Sequence, residues 1–459
     1  MMPSDRPAPS SKGSTELMAI TTPNTSTGGS SAPGSGTSSP NGSASYTGPL
    51  AVVTTLFFMW GFLTCLNDIL VPHLKPIFDL NYTRVMLIQF AFFGAYFLFS
   101  IPSAWIIDWM GYQRSMVAGL LTMGMGAFLF VPAASVPSYP LFLFALIVLA
   151  AGITCLQVAA NPYVTILGKP ETASSRLNLT QAFNSLGTFL APFFGSLFIL
   201  SAAPKSIEDI RALAPDALQA YRLHEAATVK TPYVGLGIAL VLLAAAIGSF
   251  KLPKIEHAQH KVGEKVNDSI WKHPNLIFGA IGIFVYVGGE VSIGSFLVNY
   301  FSQPEIGGLT EKVAASFVAF YWGGAMVGRF IGSGLLQKMR TGHLLGICAV
   351  CAAALVAISM LTTGHTAMYS IILVGFFNSI MFPSIFTLGV AELGPLTGDG
   401  SGIMIMAIVG GALIPVAQGA IADRIGIHHA FFLPVVCYLY ILFFALSGSR
   451  PNSERYAKA

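Results

Sequence analysis

Long apolar stretches alternate with short polar ones along most of this 459-residue chain. Each apolar window comes close to the roughly 20 residues that a helix needs to cross a bilayer. The pattern predicts an all-α membrane protein with twelve transmembrane helices in two sets of six. The first set covers residues 50–72, 85–108, 114–133, 139–167, 178–201 and 231–252, and the second covers 273–300, 312–337, 343–362, 367–391, 400–422 and 429–448.

Polar segments divide the chain into five regions. Residues 1–48 are rich in Ser, Gly, Thr and Pro, so we expect a disordered cytoplasmic tail there. We expect an N-terminal six-helix half over 49–252, a lysine-rich cytoplasmic linker over 253–272, a C-terminal half over 273–448 and a cytoplasmic tail over 449–459. The polar loop between the fifth and sixth helices predicts a surface helix around 207–227.

The distribution of basic residues sets the orientation, because Lys and Arg near helix ends favour the cytoplasm. With both termini inside, fifteen of the 24 Lys and Arg residues lie on the cytoplasmic side and eight on the other. Arg329 completes the count, since it lies within a predicted span. We therefore expect both termini in the cytoplasm.

An internal repeat relates the two halves. "NPYVTILG" (161–168) in the fourth span aligns with "FPSIFTLG" (382–389) in the tenth. "GTFLAP" (187–192) in the fifth span shares a glycine and a proline with "GGALIP" (410–415) in the eleventh. Corresponding segments six spans apart predict two parallel halves, the arrangement of major facilitator transporters, in which the halves are related by an axis along the membrane normal.

Composition excludes several classes of function. Only 10% of the residues are charged, against roughly 25% in soluble domains, and the net charge of +4 is scattered, so we expect no nucleic-acid partner. The five cysteines lie in apolar segments, and the Cys348/Cys351 pair has no nearby His or acid, so packing explains it better than metal or redox chemistry. No nucleophile–base pair, metal constellation or nucleotide loop is present, so we expect neither an enzyme nor a cofactor.

Polar residues inside the predicted spans define a candidate cavity, because polar side chains in a membrane helix turn away from lipid. Steps of three and four place several of them on shared helix faces. The candidate substrate-binding residues are Asn67, Gln89, Gln157, Asn161, Gln181, Asn184, Asn299 and Asn378. Amides both donate and accept hydrogen bonds, as sugar hydroxyls do, and neighbouring aromatic rings suit the apolar face of a pyranose. This set predicts a small neutral polyhydroxylated ligand.

Two acids lie within predicted spans. An acid at mid-helix costs roughly 2.5–3.5 kcal/mol on insertion scales, so Asp68 and Glu290 are candidates for coupling transport to protons. Each also has a structural interpretation, as a solvated helix end for Asp68 and a local hydrogen bond for Glu290. In "DWMGYQR" (108–114), Asp108 and Arg114 have the acid–glycine–basic layout of a cytoplasmic gate.

Three strings resemble the L-fucose:proton symporter family of the major facilitator superfamily. They are "CLNDILVPHLKPIF", "CLQVAANPYVTILG" and "SSRLNLTQAFNSLGTFLAPFFG". The string "YVGGEVSIGSFLVNYF" (285–300) is similar to the glucose/galactose transporter subgroup. The resemblance implies import of a hexose, glucose or galactose, by proton symport across a bacterial inner membrane.

The resemblance also assigns roles to residues and shows one departure. It implies that Asp68 takes up the coupling proton and that Gln181 and Asn184 are polar positions of the fifth span. The family carries an acid where this chain has Gln157, so Glu290 becomes the candidate for part of that acid's work. Alternatives are sodium coupling, facilitated sugar diffusion, or a membrane sugar sensor that does not transport. A monomer in the lipid bilayer is the expected unit.

Overall fold

The structure is a computed structural model, and it describes residues 46–77, 82–136, 138–198, 213–228, 230–253 and 268–450. The predicted tails beyond 46–450 and most of the linker lie outside these residues. Before the linker, the helices are α1 Thr47–Ile77, α2 Tyr82–Ser135, α3 Tyr139–Ile166, α4 Ala173–Phe198, α5 Pro215–Thr228 and α6 Lys230–Ser249. Helix α5 overlaps the second half of the predicted surface helix and ends one residue beyond it.

The helices after the linker are shorter and more often interrupted. They are α7 Pro274–Phe301, α8 Glu311–Leu335, α9 Thr341–Leu361, α10 Gly364–Asn378, α11 Met381–Gly389, α12 Thr397–Met406, α13 Gly410–Ile425, α14 Ile427–Ala430 and α15 Phe432–Phe443. The described residues contain helices and no strand, which confirms the all-α class.

Ten helical segments of the described residues are long and apolar enough to cross a membrane. One of them, residues 90–135, contains the break in α2 at Gly111, whose φ of 81° lies outside the helical region, so this segment holds two helices. Glycine adopts that backbone conformation without a steric penalty. Helix α4, the predicted fifth span, is not among the ten. The total of twelve spans therefore stays a prediction.

The packing within each half repeats, as the sequence motifs predict. In the N-terminal half, α4 packs on α1, and the Cα of Gly187 lies so close to the Phe58 carbonyl that a Cβ would overlap it. In the C-terminal half, Gly410 makes the same approach to the Phe284 carbonyl of α7. Gly187 and Gly410 are the aligned glycines of the repeat, so the repeat marks matching helix contacts.

A glycine face on α8 packs against the predicted tenth span. Gly324 and Gly328 face Phe376 of α10, and Gly328 and Gly332 face Ser379 and Ile380 directly after it. Small residues four apart let two backbones approach closely in a membrane. The three glycines therefore let α8 and the predicted tenth span pack closely together.

The predicted tenth span is not one helix. Helix α10 ends at Asn378, two turn residues follow, and α11 begins at Met381. A break of this kind leaves backbone carbonyls without intrahelical donors. Discontinuous membrane helices often form the substrate and ion sites of transporters, and this break lies beside the Glu290 cluster described below.

Hydrogen bonds between the two halves gather near one end of the bundle. At the start of α4, Ser174 Oγ lies 2.6 Å from Thr387 Oγ1 of α11 and accepts a 2.9 Å bond from Thr341 Oγ1 of α9. Nearby, Ser175 Oγ donates to the Ser333 carbonyl of α8 at 2.7 Å. We call these bonds the half-to-half contact. They lie at the end of the bundle that the sequence predicts to be cytoplasmic.

A second part of the half-to-half contact involves α12. Ser401 Oγ donates to the Val158 carbonyl of α3 at 2.8 Å, and Gly402 packs against Ser100 and Ala104 of α2. The two halves therefore touch at the same end of the bundle in two places, where α4 meets α8 and where α2 meets α12.

Candidate functional site

The central part of the N-terminal half holds the first group of predicted site residues. Gln157 Nε2 donates to Tyr96 Oη at 2.7 Å, and Gln181 Nε2 donates to Asn161 Oδ1 at 3.5 Å. We call Tyr96, Gln157, Asn161 and Gln181 the Gln157 cluster. Helical spacing brings Gln157 and Asn161 together on α3, and the packing of α4 beside α3 adds Gln181.

The Gln157 cluster has hydrogen-bonding capacity left over. Among the described residues, Gln157 Oε1 and Asn161 Nδ2 have no hydrogen-bond partner, although Gln157 is only 2% exposed and Asn161 is fully buried. Buried polar atoms are almost always paired with protein or ordered water. One free acceptor and one free donor on side chains one helical turn apart suit a hydroxyl group, which needs both.

Aromatic rings lie beside the Gln157 cluster. Phe92 and Phe93 pack edge-on, and both contact the ring of Tyr96, with centroid distances of 5.6 and 6.5 Å. This part of α2 therefore offers apolar ring surface next to the free amide atoms.

The C-terminal half holds a second group around Glu290 of α7. Tyr286 Oη donates to Glu290 Oε1 at 2.7 Å and lies 3.2 Å from the Asn378 carbonyl. Asn378 Nδ2 donates to Tyr321 Oη at 2.8 Å, and Tyr321 Oη donates to the Glu290 carbonyl at 3.4 Å. These four residues form the Glu290 cluster. It joins α7, α8 and the end of α10, and Asn378 Oδ1 has no hydrogen-bond partner among the described residues.

Arg329 of α8 connects the two halves at the level of these clusters. Its Nη1 donates to the Gln181 carbonyl at 3.3 Å and to Ser185 Oγ, both on α4. Its Nε donates to the Ser379 carbonyl at the break after α10, also at 3.3 Å. That carbonyl follows the Asn378 carbonyl, which accepts a hydrogen bond from Tyr286 Oη of the Glu290 cluster. A cation at the carboxyl end of a helix is favoured by the helix dipole.

Other predicted site residues lie apart from these clusters. Asn184 Nδ2 donates to the Phe57 carbonyl of α1 at 2.9 Å, a bond between helices of one half. Asn299 is exposed and lies nine residues beyond Glu290 on α7, about 13 Å at the α-helical rise. Asn67, Asp68 and Gln89 lie in α1 and α2, but their side chains are outside the described part of the structure.

The predicted gate residues occupy the end of the bundle where the halves meet. Asp108 is half-buried, with Oδ1 next to Gly398 at the start of α12, so it faces the other half. Arg114 is exposed. Their joint role as a gate stays a prediction. The hydroxyl groups of Ser174, Thr341 and Thr387 are a part of this contact that sequence patterns did not reveal.

Two further residues of the site were not among the candidate site residues predicted from the sequence. Tyr286 precedes Glu290 by four residues, a spacing that predicts contact on one helix face. Arg329 is the one Lys or Arg well inside a predicted span, which is itself a signal of function in membrane proteins. In the described part of the chain, no three His, Cys, Asp or Glu residues are grouped as metal ligands would be.

Comparisons with known proteins agree with this architecture. Residues 51–408 match the family model of the Major Facilitator Superfamily. The chain is 53% identical over 401 residues to a glucose/galactose transporter of Brucella abortus, covering 87% of this chain and 94% of that protein. It is 35% identical over 410 residues to the L-fucose-proton symporter of Escherichia coli, covering 88% of this chain and 93% of that protein.

A solved structure extends the comparison to three dimensions. The crystal structure of the transporter FucP, described as being in the outward conformation, superimposes with a TM-score of 0.82. It is 33% identical in sequence, and the match covers 88% of this chain and 99% of that one.

Proposed function

The chain belongs to the Major Facilitator Superfamily, and from that premise we propose that it imports a neutral hexose by proton symport through alternating access. The observation that carries the proposal is the pair of polar clusters, one in each half, with Arg329 bonded to both halves beside them. The Gln157 cluster offers a free acceptor and a free donor, and the Glu290 cluster offers the free oxygen of Asn378.

The chemistry of the Gln157 cluster favours an uncharged sugar. Its side chains are amides and a phenol, which complement hydroxyl groups and carry no net charge. Arg329 already donates to three oxygen atoms of the protein, so its charge is not available to bind an anionic substrate. The higher identity to the glucose/galactose transporter than to the fucose symporter makes glucose or galactose the preferred candidate.

Proton coupling is assigned to Asp68 and Glu290. Backbone carbonyls at a break in a membrane helix can bind Na⁺, but here those of Asn378 and Ser379 already face Tyr286 Oη and Arg329 Nε. Coupling to one proton per hexose is sufficient for accumulation, so the acid that the family carries at the position of Gln157 is not required. A charge that moves through 100 mV supplies about 2.3 kcal/mol, which supports roughly fifty-fold accumulation.

We assign the structure to the outward-facing state. The half-to-half contact closes the end of the bundle that the sequence predicts to be cytoplasmic, and the matching FucP structure carries the same description. In the proposed cycle, sugar binds from outside with the coupling acid protonated. The half-to-half contact then opens, and sugar and proton leave to the cytoplasm. We expect a monomer in a bacterial inner membrane with both termini in the cytoplasm.

Hexose binding to the purified protein tests the assigned site. Gln157→Ala removes one partner of a sugar hydroxyl, which costs about 1–3 kcal/mol and raises the Kd for glucose or galactose roughly 5- to 150-fold. Isothermal titration with glucose, galactose and fucose measures this change. The matched control is Gln113→Ala. Gln113 is an amide of the same half, but its Nε2 donates to the carbonyls of Ile247 and Phe250, which are not part of the Gln157 cluster. Equal Kd values for wild type and Gln157→Ala would remove the Gln157 cluster from the sugar site.

A further inference from the structure

Arg329 is the one side chain in the described site that bonds to both halves through its charged group. Its Nη1 contacts Gln181 and Ser185 in the N-terminal half, while Nε contacts the Ser379 carbonyl in its own half. It is half-buried, and its own carbonyl accepts a 2.6 Å bond from Asn178 Nδ2 of α4. Arg329 thus belongs to the interface that must open and to the half that contains Glu290.

Opening of the cytoplasmic side removes most of these partners. Gln181 and Ser185 lie on α4, and α4 moves away from α8 when the half-to-half contact separates. The guanidinium would then keep only the Ser379 carbonyl among its present partners. A charge in a membrane interior that loses its partners is strongly destabilised, so a new partner within the same half is required.

Glu290 is the acid placed to become that partner. It belongs to α7, which packs against α8, and Tyr286 Oη, which donates to Glu290 Oε1, also donates to the Asn378 carbonyl, next in the chain to the Ser379 carbonyl that Arg329 binds. At present its Oε1 accepts a 2.7 Å bond from Tyr286 Oη. The other titratable groups around Glu290 are Tyr286 on its own helix, Tyr321 on α8 and Tyr438 on α15, whose phenol groups carry no charge at neutral pH.

We propose that Arg329 exchanges partners during transport, from Gln181 and Ser185 of α4 in the outward-facing state to the Glu290 carboxylate once the cytoplasmic side opens. This inference rests on the proposed function and adds a positioning residue to it. The Glu290 carboxyl group releases its proton to water in the inward-open cavity as the ion pair forms. When the halves close again, Arg329 returns to α4, and Glu290 receives the single coupling proton that Asp68 takes up from the outer side.

Charge at position 329 is therefore needed for net transport and not for exchange. In Arg329→Gln, Glu290 keeps its proton in the inward-open state, so hexose accumulation driven by a proton gradient falls from as much as roughly fifty-fold to about one-fold. Hexose counterflow, in which loaded carrier moves both ways, continues. Arg329→Lys keeps the charge, so it retains part of the accumulation. Both are measured with labelled hexose in proteoliposomes.

A double variant separates this role from a structural one. Because Arg329 and Glu290 act as one unit, the combination of Arg329→Gln with Glu290→Gln is expected to show hexose counterflow at the rate of either single variant, with no additive loss. Arg424 is exposed at the end of α13, so Arg424→Gln is the matched control with unchanged accumulation. Normal accumulation in Arg329→Gln, loss of counterflow together with accumulation, or equal failure of the Lys and Gln variants would overturn the partner exchange.

These outcomes stay distinct from failure of the proposed function. If the wild-type protein neither accumulates hexose nor shows counterflow, the transport proposal itself is wrong. If the wild type accumulates hexose while Arg329→Gln does so equally well, symport stands and only the role of Arg329 falls.

Discussion

A disulfide between cysteines introduced by Ser174→Cys and Thr387→Cys is expected to stop hexose transport and to leave hexose binding intact. The hydroxyl oxygens of the two native residues are 2.6 Å apart across the half-to-half contact. This separation brings their Cβ atoms near the roughly 3.5–4.5 Å that a disulfide requires. The bond holds the cytoplasmic end closed, and alternating access needs that end to open.

The experiment uses a background in which the five native cysteines are replaced. Oxidation should reduce the rate of uptake by more than tenfold, and a reductant should restore it, while the hexose Kd changes less than twofold. Each single cysteine variant is the control, since it cannot form the bond. Full transport by completely cross-linked protein would show that the halves do not separate at Ser174 and Thr387.

Asp68→Asn is expected to abolish uphill accumulation and to preserve hexose counterflow. The amide has nearly the size of the carboxyl group, but it cannot carry a proton, so the gradient no longer drives sugar inward. The accumulation ratio should fall from as much as roughly fifty-fold to about one-fold, the full contribution of one coupled charge at 100 mV. Labelled galactose or glucose in proteoliposomes measures both activities.

Asp423→Asn provides the comparison for this variant. Asp423 is an exposed acid near the end of α13, so its replacement should leave accumulation at the wild-type level. Persistent accumulation in Asp68→Asn would show that another acid carries the coupling proton, and Glu290 would be the next residue to test. Loss of counterflow as well as accumulation would indicate that Asp68 binds sugar instead of coupling it to protons.

Local patterns predicted much of the fold because each depends on residues that are close in sequence. The apolar windows predict the helices, and the glycines at 324, 328 and 332 predict the close contact of α8 with a neighbour. The break between α10 and α11 was not predicted. Pro383 gives the break a local cause, because proline has no N–H to donate to the Ser379 carbonyl four residues earlier, and Arg329 Nε of α8 binds that carbonyl instead.

The candidate site was predictable only within single helices. Spacing placed Gln157 with Asn161, whereas Gln181 was predicted only as a polar position of the fifth span, and the packing of α4 on α3 brings it beside them. The bonds of Arg329 with α4, and those between Ser174, Thr341 and Thr387, join residues 144 to 213 positions apart. They exist because two halves meet in one particular conformation, which no helical period encodes. Asn299 lies about 13 Å along α7 from Glu290, so its part in sugar binding stays a prediction.

Proton movement that accompanies hexose entry tests the central claim most directly. Proteoliposomes that contain the wild-type protein and an internal pH indicator receive glucose or galactose without any imposed ion gradient. The account predicts that hexose acidifies the interior, with or without Na⁺, and that Asp68→Asn takes up hexose without acidification. Hexose entry that leaves the internal pH unchanged, or that requires Na⁺, would contradict proton symport.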